Sequence, residues 1–337
     1  MAILSVTVRG GTVAPAGSGG TVDAALAASL KSLPEAAPIV ILIHGYRFDP
    51  ADPAHDPHRL IFAPAPARAS WKLPSWPGGL GFAGGAAAQG LCIGFGWPAR
   101  AGHMRTLLAS GRTGFAEVYH RAGALGGALA GLIEAIAERA PGRPIDILAH
   151  SLGARVAVAA MPHLSSRGGR ALGRMILLGG AEFAGRAEAA FTAAPDTAQP
   201  EVYSVTARHN DLYDALFERF APRGKGADHA LARGMPRLRN WLSLQIDHPR
   251  VRAWAASYGI RLEAPDRRIC HWGFYTLPGA MTLYAHILRE RAVWSVAALR
   301  GTPALEEQEP RWARLRPLPR PPRLGAPRPL SRRARGL

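Results

Sequence analysis

The stretch IDILAHSLGARVA, Ile145–Ala157, decides how the rest of the chain is read. Ile145 to Ala149 reads as a strand and Leu152 to Met161 as a helix, so Ser151 falls on the bend between them. A residue on such a bend is lifted clear of a sheet, and its side chain faces the crevice beyond the carboxyl ends of the strands. Strand and helix crowd together there, which demands small neighbours. The same position also suits an ordinary N-cap serine.

Outward from this stretch, apolar runs alternate with helical patterns. Strands are expected at Ile3–Val8, Pro38–Ile43, Leu91–Phe95, Arg174–Leu178 and Val202–Ala207, with a weak one near Ile260–Cys270. Helices are expected at Thr21–Leu33, Phe115–Ala140, Glu182–Ala193, Asp211–Phe220 and Met235–Leu244, and from Pro278 into the Leu299 region. Continuous apolar runs such as PIVILI fit strands covered on both faces. The pattern predicts an α/β fold, a mostly parallel central sheet with helices on both faces, in one domain over residues 1–300. Residues 46–90 form a long irregular segment rich in proline, glycine and tryptophan. It is expected either to wall or lid a pocket or to pack down through Phe62, Trp71, Trp76 and Phe82. Residues 301–337 are rich in arginine and proline and are expected to be disordered.

Composition narrows the function classes. The chain has 337 residues, 48% hydrophobic and 19% charged, which allows a core without staples. Cys92 and Cys270 are too few for a disulfide framework or a cysteine zinc site. The formal charge of +17 comes almost wholly from arginine, with only three lysines, in a chain rich in alanine and glycine. That bias weakens it as a nucleic-acid signal, and no nucleic-acid partner is expected. The start, MAILSVTVRGG, alternates like a strand and has no basic leader. No run approaches the ~20 apolar residues of a membrane span. A cytoplasmic protein without a span is therefore expected; oligomeric state is not legible. Asp49, Asp52, His55, Asp56 and His58 share one loop, but turn and cap roles beside Pro53 and Pro57 explain them more cheaply than a metal. GGTVAPAGSGG, at 10–20, lacks the spacing of a phosphate loop and reads as a flexible hairpin loop.

The frame Ala149-His150-Ser151-Leu152-Gly153 resembles the G-x-S-x-G nucleophile elbow of the α/β-hydrolase superfamily, with alanine replacing the first glycine. The GFGWP and HWGFYTLPG segments look similar to small bacterial hydrolases of this fold. The resemblance implies a Ser-His-acid triad in the chain order nucleophile, acid, histidine. It points to Ser151, then Asp211 with Asp214 and Glu182 as alternatives, then His271 before the last helix. It implies an oxyanion hole from the backbone N–H groups of Leu152 and Tyr46, the latter after the His44-Gly45 pair that ends PIVILI. The implied activity is hydrolysis of a carboxylic ester or related small acyl substrate through an acyl-enzyme, with no cofactor and no metal. A catalytically inactive protein of the same fold, engaging a partner through its tail, is the competing expectation.

Overall fold

The computed structural model describes residues 2–17, 19–31, 33–82, 90–101, 111–223, 228–234 and 238–315. Eight strands form one sheet: β1 (Ala2–Arg9), β2 (Thr12–Pro15), β3 (Ile39–Ile43), β4 (Leu91–Gly96), β5 (Ile145–His150), β6 (Leu172–Leu178), β7 (Glu201–Thr206) and β8 (Trp241–Gln245). Their spatial order is β2-β1-β4-β3-β5-β6-β7-β8. Among these described strands, only the β1–β2 pair is antiparallel.

Burial explains why the central strands read as unbroken apolar runs. Every residue of β3, β4 and β5 is buried. Side chains alternate across the sheet, so Ile39, Ile41 and Ile43 enter one core while Val40 and Leu42 enter another. The first core is closed by helices that include Val22–Lys31, Gly126–Arg139 and Leu152–Ala160. The second is closed by helices Pro249–Ser257 and Ala280–Arg289. The fold is that of an α/β hydrolase.

From β3 the chain steps one way to β4; from β5 it steps the other way through β6 and β7 to β8. The order therefore reverses between β3 and β5, and a crevice opens at their carboxyl ends. His44-Gly45-Tyr46 follows β3 and Ser151 follows β5, so the topology alone brings these two segments together.

Several expectations are corrected. Residues 10–20 contain β2, paired to β1 from Val6↔Pro15 to Arg9↔Thr12. Trp241–Gln245 is a strand and not part of a helix, because β7 offers a free edge and pairs with it from Val202↔Trp241 to Thr206↔Gln245. Residues 260–270 form no strand; Glu263 N–H and Cys270 N–H donate instead to the carbonyls of Pro278 and His209. The long helix before β5 is two, Gly111–Ala124 and Gly126–Arg139. At Gly126 a Cβ would lie 2.2 Å from the Ala159 carbonyl oxygen, so the break accompanies a close helix contact. The expected final helix is likewise divided, into Ala280–Arg289 and Val296–Leu299.

Residues 301–315 are ordered, against expectation. They include helix Pro303–Glu306 and a single turn at Ala313–Leu315, and Leu305 is buried in the second core. The remainder of the predicted disordered tail, 316–337, lies outside the described residues, as do residues 83–89 of the long loop. The rest of that loop packs down: Phe62, Trp76 and Phe82 are buried, and only Trp71, 47% exposed, stays at the surface. No helix among the described residues is long and apolar enough to cross a membrane.

Candidate active site

Ser151 sits at the bend with φ 54° and ψ −122°. This conformation costs a non-glycine residue on the order of 1–3 kcal/mol and persists only where the surroundings enforce it. The enforcement is visible. Ser151 N–H donates to the Leu178 carbonyl at 3.0 Å, and the Ser151 carbonyl accepts from Ala154 and Ala181 at 3.0 Å each. Two glycines make the crowding tolerable. A Cβ on Gly45 would lie 2.7 Å from Ser151 Cβ, and one on Gly153 would lie 2.5 Å from the Ile43 carbonyl oxygen. Ala149, in the place of the elbow's first glycine, is fully buried without disturbing the turn.

The β3 end is shaped by His44, which is fully buried. Its Nδ1–H donates to the Gly45 carbonyl at 2.9 Å, and its Nε2 accepts from Trp97 N–H at 3.1 Å. Trp97 Nε1–H returns to the His44 carbonyl at 3.0 Å, and the two rings stack. Burial lowers the His44 pKa to about 3, so the ring is neutral, as both contacts require. A trans peptide holds C=O and N–H on opposite sides. With the Gly45 carbonyl fixed on His44, the Tyr46 amide is turned away from the His44 ring.

His271 reaches the bend through His150, the residue before the serine. The two rings lie 4.6 Å apart between centroids, and His150 Nε2–H donates to the His271 carbonyl at 3.1 Å. Tyr213 stacks on His271 at 4.7 Å. Burial lowers the His271 pKa well below the usual value, reinforced by His150 and His209. Burial also lowers His150, to about 4.

The partner of His271 is not the residue sequence reasoning favoured. His271 Nδ1–H donates to Asn210 Oδ1 at 2.7 Å. Asn210 Nδ2–H donates in turn to Asp214 Oδ1 at 2.9 Å. Asp211 faces elsewhere: it pairs with Arg208 at 3.3 Å and accepts from Trp312 N–H. The reason is helical geometry. The 3₁₀ turn Arg208–Asn210 runs straight into the helix Asp211–Phe220. Residues 210 and 214 therefore share one face and residues 208 and 211 another. Glu182 is also remote in its contacts; it accepts from Tyr119 Oη at 2.6 Å and pairs with Arg155 at 2.5 Å.

The arrangement sets His271 against His150, the residue before Ser151, and Gly45 against Ser151 itself. It does not bring Asp211 or Glu182 to the histidine. Because Nδ1 carries the proton shared with Asn210, Nε2 of His271 is the atom left to accept one. A protein-family model described as alpha/beta hydrolase of unknown function (DUF900) matches residues 21–211. The chain belongs to that family. The matched segment holds the elbow and ends at Asp211, so His271 and the ordered residues 301–315 lie beyond it. A comparison with curated proteins found no match.

The aspartates and histidines of residues 49–58 shape the loop and tie it down, His58 Nε2 meeting Thr7 Oγ1 of β1 at 3.1 Å. Asp52 accepts from Ala54 N–H and His55 Nδ1–H, both at 2.9 Å, and pairs with Arg100; Asp56 accepts from His58 N–H. Among the described residues, no group of three or more His, Cys, Asp or Glu side chains is placed to hold a metal. Cys92 and Cys270 are both buried free thiols.

Proposed function

We propose that the protein is a serine hydrolase acting on a carboxylic ester or a related acyl compound, with a Ser151-His271-Asn210 constellation. The observation that carries this reading is the commitment of His271 Nδ1 to Asn210, which leaves Nε2 of a neutral imidazole to accept a proton, on a ring packed against His150, the neighbour of a serine on a strained bend. In this reading Ser151 Oγ attacks the acyl carbon while His271 Nε2 takes its proton. The oxyanion that forms is held by the N–H groups of Tyr46 and Leu152. The imidazolium passes its proton to the leaving alcohol, and water then cleaves the acyl-enzyme with the same base. Asn210 keeps the imidazole in the correct tautomer, as the neutral amide of a Cys-His-Asn triad does.

A fluorophosphonate probe tests it. Wild-type protein is labelled at one serine and hydrolyses p-nitrophenyl acetate, and Ser151→Ala loses both properties while keeping its circular dichroism spectrum. Wild-type protein that is folded yet neither labelled nor active would leave a binding protein of the same fold as the better reading.

A further inference from the structure

Behind the histidine lies a polar system that the proposed chemistry has not used. Asp211 and Asp214 are both buried, and Glu218 follows one turn later on the same helix. The cations facing them come from three places: Arg208 in the preceding turn, Arg233, which lies 3.8 Å from Glu218, and Arg311 from beyond residue 300. Arg311 Nη1–H donates to Glu218 Oε2 at 3.1 Å, and Trp312 N–H donates to Asp211. Trp312 has φ 68°, so the backbone turns sharply to deliver that amide.

The same segment grips the other side of Asn210. Glu309 N–H donates to Gln245 Oε1 at 2.9 Å, and Gln245 Nε2–H donates back to Glu309 Oε2 at 3.1 Å. Gln245 Nε2–H also reaches Asp247 Oδ1 at 3.0 Å. Asp247 in turn accepts from the N–H groups of Arg208 and His209, at 2.9 and 3.2 Å, and so fixes the turn from which Asn210 projects. Arg314 Nη2–H anchors the far end on the Pro265 carbonyl at 3.0 Å.

We infer that residues 309–315 are a strap that positions the catalytic imidazole, acting on Asn210 through Asp214 and Arg311 on one side and through Gln245 and Asp247 on the other. The inference rests on the hydrolase reading above. As an anion, Asp214 only accepts hydrogen bonds. Asn210 must then turn its NH2 toward Asp214 and its oxygen toward His271. A protonated Asp214 offers an O–H besides its carbonyl oxygen, and that O–H competes for the Asn210 oxygen that holds His271 Nδ1–H. The tautomer that leaves Nε2 to accept a proton is then held less firmly. Asp214 and Arg311 are thus positioning residues, and Arg311 favours the anion.

Burial raises the Asp214 pKa to about 7; Arg311 and Arg208 pull it down, and Asp211 and Glu218 push it up. His271 titrates well below its usual range. The acid limb of kcat/KM for p-nitrophenyl acetate therefore belongs to Asp214, with activity lost as pH falls through about 7. Arg311→Met moves this limb to higher pH, by about half a unit or more. Asp214→Asn removes the titrating group and is neutral at every pH, so activity falls and the limb of what remains moves to lower pH. In both variants KM stays within about threefold of wild type, because neither residue meets substrate. A chain ending at Leu315 matches wild type, and one ending at Gln308 loses at least about tenfold in kcat and in the rate of fluorophosphonate labelling.

Opposite shifts from the two point variants would not arise from a merely structural role. Limbs that coincide with wild type in both would overturn the strap's positioning role and leave the hydrolase reading intact. Failure of the fluorophosphonate to label wild-type Ser151 would remove the hydrolase reading, and the inference with it.

Discussion

At the residue scale, the neutral amide of Asn210 stands where a carboxylate is usually expected. Asn210→Leu removes the oxygen that holds the Nδ1 proton, and we expect kcat to fall roughly 10²–10⁴-fold with KM little changed. Asn210→Asp places a negative charge against the ring and favours the imidazolium. The pKa of His271 should therefore lie above that of the wild type, as measured by NMR titration of the imidazole. His44→Leu frees the Gly45 carbonyl and should cost about 10²–10³ in kcat, the range for one oxyanion donor. A histidine that only filled space would tolerate leucine with no more than a loss in melting temperature. Sequence reasoning picked out Ser151 and His271 from local signals: an apolar strand with small residues after it, and a Pro-Gly helix start just after the histidine. It put Asp211 ahead of Asp214 and Glu182 and passed over Asn210, because residue type was visible and rotation about the helix axis was not. The missed cue is spacing, since Asn210 and Asp214 lie four apart and Arg208 and Asp211 three apart.

At the element scale, the long loop after β3 behaves as a wedge. Trp76 is fully buried, 5.1 Å from the Tyr275 ring, 5.6 Å from Phe62 and 6.4 Å from His150. Trp76→Ala should cost about 3–5 kcal/mol in urea denaturation, the range for emptying a large aromatic site. A freely opening lid would instead show little loss of stability and altered access for bulky esters. The central strands were legible because burial on both faces keeps them mostly apolar, most plainly in β3 and β4. β8 was not, because Trp241-Leu242-Ser243-Leu244-Gln245 carries too few apolar residues to distinguish periods of 2 and 3.6. Pairing with β7 decided its form. Residues 301–315 were illegible for a related reason. They were read as one segment with the arginine- and proline-rich residues that follow, and what orders them is Leu305 in the core and polar contacts to Gln245, Glu218 and Asp211.

At the scale of the whole molecule, buried titratable groups oppose one another. His44 and His150 are neutral in the native state, lowered by burial to about 3 and about 4. Below pH 6.5 the unfolded chain binds protons at both that the native chain refuses, so stability falls as pH drops from 6.5 toward those values. Each costs about 2 kcal/mol between pH 7 and 5. Asp214 runs the other way. Its raised pKa gives stability that is complete below the unfolded value of 3.8 and is lost as pH rises through about 7. Acidification to pH 5 thus returns about 2 kcal/mol. Asp214→Asn cannot make this return, so its unfolding free energy should fall by about 2 kcal/mol more than that of wild type over the same interval. Parallel curves for the two proteins, from urea titrations at pH 7 and 5, would show that Asp214 does not titrate there.

The strand order has a bearing on how the chain is made. β1 finds its parallel neighbour only at residues 91–96, and until then its sole partner is the four-residue β2. A ribosome therefore releases the first strand long before the backbone that will cover its inner edge. For that interval the nascent protein displays an unpaired ladder carrying Leu4, Val6 and Val8, all destined for the core. Slower growth temperatures and abundant holdase chaperones should raise the yield of native protein more than any change to the finished surface.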